Sequence, residues 1–371
     1  MAGQIIPIVM PKWGLSMREG TVNAWLVVEG ATIEVGMPII DVETDKLASA
    51  VEAADAGLLR RRIAQAGDVL PVKALLGVMA SPDVSDEEIN AYIAAYVVPT
   101  GGEGEEEAGA TFQTVEVDGI RVRYAQRGPD SGTPVLFIHG FGGDLDNWLF
   151  NIDAVAEYSP VIAFDLPGHG QSDVKLPGLS LEALATFVVH FLNVINVKQV
   201  YIVGHSLGGA IGAQMAGDAP GRVVGLTLIS PAGFGAEINI GYIEGFVTAQ
   251  SRRELKPVLE QLFADPALVS RQMLDDLLKY KRMDGVESLL ADLSAALFKN
   301  GQQTARTVEA LAASGKPLLV LWGHDDQVIP SAHAAHAPKD ATVKLLDGAG
   351  HMAMLEKAHE VNAALRVQVG G

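Results

Sequence analysis

Gln199-Val200-Tyr201-Ile202-Val203-Gly204-His205-Ser206-Leu207-Gly208-Gly209, continued by Ala210-Ile211-Gly212-Ala213-Gln214-Met215-Ala216-Gly217, is the stretch from which the rest of the chain can be read. Five residues of strand-like text run into glycines and a serine, and then into a helix of small residues. A G-x-S-x-G spacing between strand and helix describes a tight elbow that exposes a serine hydroxyl, the glycines permitting the close approach of backbone. Ser206 is therefore a candidate nucleophile.

A serine hydroxyl is a poor nucleophile until a base removes its proton and a carboxylate fixes that base's tautomer. Downstream, Leu321-Trp322-Gly323-His324-Asp325-Asp326-Gln327-Val328-Ile329-Pro330 follows one apolar strand and Gly348-Ala349-Gly350-His351 follows another. They supply an acid and then a base, His351, although two adjacent aspartates leave the acid ambiguous. Acyl transfer also builds negative charge on a carbonyl oxygen. Leu136-Phe137-Ile138-His139-Gly140-Phe141-Gly142-Gly143 ends a further strand in a glycine-rich turn suited to meet that charge.

Around these motifs, apolar runs (134–138, 161–164, 200–203, 223–229, 318–321 and 343–346) alternate with helical stretches such as 181–195 and 353–367. The alternation predicts a parallel sheet covered by helices on both faces. Between Gly235 and Gln302 it gives way to amphipathic helical text, which reads as an inserted cap. With Asp165-Leu166-Pro167-Gly168-His169-Gly170-Gln171-Ser172 added, residues 112–370 resemble an α/β-hydrolase with a helical cap. That family's W-G-x-x-D-x-x-x-P pattern implies Asp326 as the acid, with Asp325 a loop carboxylate. It implies the backbone N–H groups of Phe141 and Leu207 as the oxyanion hole. His139, His169 and His205 fall in its structural turns, and His324, His333, His336 and His359 are expected at the surface. His333 and His336 are three apart with no carboxylate cluster to match, so no metal site is expected.

The first eighty residues read differently. Aligning Gly30 with Gly67 sets GATIEVGMPII beside GDVLPVKALLG, with Ile33 over Leu70, Val35 over Val72 and Ile39 over Leu76. Short β-branched runs punctuated by Gly and Pro predict a small all-β domain of two facing sheets related by a pseudo-twofold. Met10-Pro11-Lys12, Ser16-Met17-Arg18-Glu19-Gly20-Thr21, Val28-Glu29-Gly30 and Glu43-Thr44-Asp45-Lys46 resemble the lipoyl domain of acyltransferase components of 2-oxo acid dehydrogenase complexes. The resemblance implies Lys46 as the site of amide-linked lipoate; biotin carriers have Met on both sides of the lysine, whereas Asp45 and Leu47 flank Lys46.

Residues 81–110 join the two parts. They hold eight acidic side chains and no basic one, so the formal net charge of −18 divides into −2 for residues 1–80, −8 for 81–110 and −8 for 111–371. GGEGEEEAGA has too little apolar surface to offset chain entropy and reads as a self-repelling tether. Ahead of it, Ser85 and Glu88 form a capping box before Ile89, Tyr92, Ile93 and Tyr96, predicting a short helix. The expected division is thus 1–80, 81–110 and 111–371, with the cap at about 235–302.

The acidic balance argues against nucleic acid and anionic membranes as partners. No secretory signal or membrane span is legible, so a cytoplasmic enzyme is expected. The 371 residues include no cysteine, which excludes disulfides, thiolate metal sites and a protein thiol as acyl carrier. Together the two halves resemble the dihydrolipoamide acetyltransferase component of bacterial acetoin dehydrogenase complexes. That resemblance implies a multienzyme complex with thiamine-diphosphate-dependent acetoin dehydrogenase subunits, a dihydrolipoamide dehydrogenase and a lipoate-attaching enzyme, and coenzyme A as co-substrate. A tethered esterase, thioesterase or carbon–carbon bond hydrolase releasing its acyl group to water is the alternative.

Overall fold

A computed structural model describes residues 4–13, 17–44, 48–99 and 112–370. The chain divides into two compact units, Met1–Gly109 and Ala110–Gly371. Lys46, with Asp45 and Leu47, lies outside the described residues, as does the GGEGEEEAGA segment.

The first unit is a pair of four-stranded antiparallel sheets. One runs Ile5–Val9, Leu75–Ala80, Gly57–Arg62, Thr32–Ile33 in spatial order; the other runs Ala48–Glu52, Pro38–Glu43, Glu19–Trp25, Val69–Pro71. The two orders correspond strand for strand, and three of the four pairs, Glu19–Trp25 with Gly57–Arg62, Thr32–Ile33 with Val69–Pro71 and Pro38–Glu43 with Leu75–Ala80, follow the internal repeat read from the sequence. The match extends to single hydrogen bonds: Gly30 N–H donates to Leu59 O and Gly67 N–H to Val22 O, each at 2.7 Å. Ile33, Ile39, Ile40, Val42, Leu59 and Leu76 fill the space between the sheets with almost no exposure. Burying such side chains stabilises by roughly 1.5–3 kcal/mol each.

A helix at Asp86–Ala95 follows, its Ser85 and Glu88 capping each other's backbone N–H groups. It packs on the first unit. Ile89, fully buried, meets Val78, Ala80 and Val84. Arg60 Nη1 donates to the carbonyls of Ser81 and Val84, and both Arg60 and Arg61 pair with Asp86 at 3.0 Å. These two guanidinium groups, Arg61 foremost, hold the Asp86 carboxyl below the usual carboxylate range.

The second unit is an eight-stranded sheet in the order Thr342–Leu346, Leu318–Gly323, Val223–Ile229, Val200–His205, Val135–Ile138, Val161–Phe164, Ile120–Arg127, Gln113–Val117. The six apolar runs read from the sequence are the six strands that pair in parallel, and two antiparallel strands that the sequence reading did not name complete the sheet. Asp118 and Gly119 turn this hairpin with both φ values positive, 51° and 73°, the type I′ signature of an Asp-Gly dipeptide. The expected helix over 353–367 is in fact two, Ala353–Glu356 and Ala358–Val369.

Between Val223–Ile229 and Leu318–Gly323 the chain leaves the sheet to form the cap, with helices Ile240–Thr248, Arg252–Leu259, Arg271–Lys281 and Val286–Leu297. The entering and leaving segments are stitched by Gln303, which is buried. Its Oε1 accepts from Gly233 N–H (2.9 Å), its Nε2 donates to Glu237 O (2.8 Å), and its own N–H donates to Ala236 O (2.9 Å).

Replacing the one fully buried residue of the Asp86–Ala95 helix tests its docking. Ile89→Ala should destabilise that packing by about 2–4 kcal/mol. The measurement is amide hydrogen exchange over residues 86–95 in the full chain, and protection equal to the parent's would show that the helix does not depend on the first unit.

Candidate active site

The elbow is built where the strand Val200–His205 meets the helix Leu207–Asp218. Ser206 sits between them at φ 51° and ψ −115°, a backbone region that L residues rarely adopt. Three hydrogen bonds hold it there: Ser206 N–H donates to Ile229 O, and Ser206 O accepts from Ala210 and Ala232 N–H, all within 3.1 Å. The position two beyond must be glycine. A Cβ on Gly208 would stand 2.1 Å from Ile138 O. The strand, its neighbour and the helix can converge only if that side chain is missing.

Asp326 and His351 follow the ends of Leu318–Gly323 and Thr342–Leu346, the outer two strands of the parallel run. Their loops are laced together by His324 N–H to Leu346 O and Asp325 N–H to Ala349 O, each 2.9 Å. His351 Nδ1–H donates to Asp326 Oδ2 at 2.8 Å, with the Asp326 side chain fully buried and that of His351 3% exposed. The remaining acceptor capacity of Asp326 is filled. Oδ1 takes the N–H groups of Val328 (2.8 Å) and Ile329 (2.9 Å), and Oδ2 also takes Trp322 Nε1–H at 3.1 Å. A carboxylate satisfied on all sides is fixed in orientation, and it fixes the imidazole with Nε2 free to face outward. Asp325 instead turns its side chain to solvent, 50% exposed and 3.7 Å from His324.

Ser206 and His351 are brought to the same end of the sheet. No hydrogen bond joins Ser206 Oγ to His351 Nε2 among the described residues; the link between them is His205. Its Nε2–H donates to His351 O at 3.0 Å, and the two rings lie 4.7 Å apart. Hydrogen bonds of this kind commonly tighten only once substrate is bound.

Leu207 opens its helix, so its N–H has no partner within that helix. Phe141 lies in the turn after Val135–Ile138, where Gly143 N–H closes on Gly140 O at 3.2 Å. His139 shapes this turn from inside. Its Nε2 accepts Leu166 N–H at 2.9 Å, so Nδ1 carries the proton and donates to Gly140 O at 2.8 Å. Burial pushes His139 down to about 3 and His169 to about 4, and it drives His205 well below the ordinary histidine range. All three are neutral, hydrogen-bonding parts of the frame.

Phe141 also meets the cap, its ring edge-on to Phe246 at 6.0 Å and to Phe298 at 6.1 Å. The cap thus meets the turn with two aromatic rings, one from the helix Ile240–Thr248 and one from the short strand Phe298–Lys299. His333, expected at the surface, is buried instead, because the short helix Ser331–His336 presses it against Trp322, and Glu237 accepts its Nε2–H at 2.7 Å. Sequence reasoning did not find Glu356, whose carboxylate accepts N–H bonds from Ala264 and Gly350, 2.7 Å each. Its partners are main-chain groups, one six residues away and the other 92 residues away in the chain, and main-chain groups leave no sequence signal.

Comparison with known proteins places the fold in a family. Residues 133–358 match the family profile described as the alpha/beta hydrolase fold, and residues 6–79 match one described as biotin-requiring enzyme. Among solved structures, a meta-cleavage product hydrolase from Pseudomonas fluorescens superposes with a TM-score of 0.62 at 20% identity, covering 68% of this chain and 95% of its own. A bacterial membrane phospholipase A gives 0.63 at 25% identity, covering 70% and 86%. These define the class: a biotinyl/lipoyl-type carrier unit joined to an α/β-hydrolase. A dihydrolipoyllysine-residue acetyltransferase component of the acetoin cleaving system from Cupriavidus necator is 61% identical over 99% of this chain and 98% of its own length. One of the same name from Pseudomonas putida is 45% identical over 97% of each. The chain belongs to this family of acetoin cleaving system acetyltransferase components.

The two aspartates can be separated by experiment. Asp326→Asn leaves the geometry but offers His351 the wrong tautomer, and should lower turnover by about 10³–10⁴-fold. Asp325→Asn should leave turnover within about twofold, as expected for an exposed side chain. Steady-state acyl transfer by the two variants checks this, and a reversed order would assign the acid to Asp325.

Proposed function

We propose that the chain is the acetyltransferase component of an acetoin cleaving system, carrying an acetyl group on lipoate at Lys46 and passing it to coenzyme A through Ser206, His351 and Asp326. The identity to the Cupriavidus necator component across both units is what carries this reading. The described strands flank Lys46 with Glu43 paired to Ala48. Lipoate supplies what a chain without cysteine lacks, a pair of sulfurs that can hold an acyl group as a thioester. The other parts of the system would include thiamine-diphosphate-dependent acetoin dehydrogenase subunits, a dihydrolipoamide dehydrogenase and a lipoate-attaching enzyme. No helix among the described residues is long and apolar enough to cross a membrane, and we take the cytoplasm as the site of action.

The roles follow from the atoms. His351 Nε2 takes the Ser206 proton as Oγ attacks the thioester carbonyl. The Leu207 and Phe141 N–H groups receive the charge that develops on the carbonyl oxygen. Collapse breaks the carbon–sulfur bond, and His351 returns its proton to the departing sulfur. In the second half the coenzyme A thiol gives its proton to His351 and attacks the acetyl-serine. The ester bond to Oγ breaks, and the proton goes back to Ser206. Asp326 stabilises the imidazolium in each half without taking the proton. The cap's part is to keep water from competing with thiol during the acyl-enzyme lifetime.

With acetylated lipoyl protein as donor, Ser206→Ala should cut acetyl-coenzyme A formation by about 10³-fold or more. Lys46→Ala should abolish both the lipoyl mass increment and donor activity. Acetate released at one rate with or without coenzyme A would make the chain a tethered hydrolase instead.

A further inference from the structure

We propose that Glu356 is a positioning residue that couples the seat of the cap to the placement of His351, and thereby biases the acyl group toward thiol and away from water. The inference rests on the acyl-serine reading above. Glu356 ends the short helix Ala353–Glu356 that begins just after the base. Its two oxygens point to different structures. Oε1 accepts the N–H of Ala264, in the cap segment between the helices Arg252–Leu259 and Arg271–Lys281, at 2.7 Å. Oε2 accepts the N–H of Gly350, the residue before His351, at 2.7 Å. One carboxylate therefore bridges the cap and the base.

The other neighbour of His351 is tied to the same cap segment, Met352 N–H donating to Leu262 O at 3.1 Å. The loop that carries the base is thus pinned on both sides to residues 262–264, while His351 O is held by His205 at 3.0 Å. Burial pushes the Glu356 carboxyl above the ordinary range, against the pull of the N–H groups of Gly350, Ala264 and Asp265. An acidic group kept in such a place is spent on aligning backbone. If the cap shifts, Gly350 shifts with it, and the imidazole follows. A closed cap and a placed base are then one state, and the site is assembled for transfer only when water is shut out.

Substituting Glu356→Gln replaces one acceptor by an NH2 that faces a backbone N–H, so only one of the two bonds can persist. The full lipoylated chain is given acetylated lipoyl donor and coenzyme A, and acetyl-coenzyme A and acetate are both measured. The ratio of the two should fall about tenfold in Glu356→Gln, the loss expected from one buried charged hydrogen bond. Glu356→Asp, which keeps the charge but is too short to span both groups, should fall between. Glu360→Gln, an exposed carboxylate paired with Lys344, should leave the ratio alone. A variant that is merely less stable lowers both products together, so an unchanged ratio overturns the inference. Hydrogen exchange gives a readout independent of turnover: the Ala264 and Gly350 amides should lose protection together, and independent behaviour also overturns it. If instead Ser206→Ala forms both products at the parent rate, the acyl-serine reading is what fails.

Discussion

The second unit is organised by one backbone conformation. Ser206 occupies φ 51° and ψ −115°, a region whose occupation costs of order 1–3 kcal/mol and persists only when the surroundings over-determine it. Here they do. The strand behind the serine is buried in the middle of the sheet, the helix ahead is driven against Ile138 O, and three main-chain hydrogen bonds lock the residue itself. The strain has a geometric product. It places the hydroxyl at the strand ends, beside the free N–H of Leu207, where the loops bearing Asp326 and His351 also arrive.

Much of this was legible because it depends on local chemistry at fixed spacing. The elbow announces itself through Gly204, Ser206 and Gly208, and the apolar runs mark the parallel strands. The 37-residue repeat of the first unit is legible as well, since its hydrogen bonds come in matched pairs such as those of Gly30 and Gly67. What escaped depends on tertiary placement or on a pattern that competed poorly. The Gln113–Arg127 hairpin carries alternating residues around Asp118-Gly119, and its strands lack the apolar runs that marked the others. His333 gives no sign in sequence that Trp322 will cover it. Glu356 is less legible still, because a carboxylate that binds only backbone N–H groups selects no partner residue types.

Charge and thiol chemistry divide between the units in a consistent way. At the site the chain offers a serine hydroxyl, three neutral buried histidines as framework and, in His351, a histidine bound to the buried Asp326. In the proposed reaction the sulfur chemistry comes from outside the side-chain repertoire, from lipoate on Lys46 and from coenzyme A. Burial keeps His139, His169 and His205 uncharged, so a proton arriving at the site finds His351 as the base paired to an anion.

The twofold correspondence of the two small sheets also has a mechanical side. The pair Glu43 and Ala48, on either side of Lys46 in sequence, corresponds in strand order to the pair Ala80 and Ile5 of the other sheet. Four residues separate Glu43 from Ala48 in sequence, whereas Ala80 continues into the Asp86–Ala95 helix. A pull on the polypeptide beyond Ala80 therefore meets the Asp86–Ala95 helix first, held by Ile89 and by the pairs of Arg60 and Arg61 with Asp86, and then the Ile5–Ala80 rungs. The rungs on either side of Lys46 in sequence belong to the other sheet.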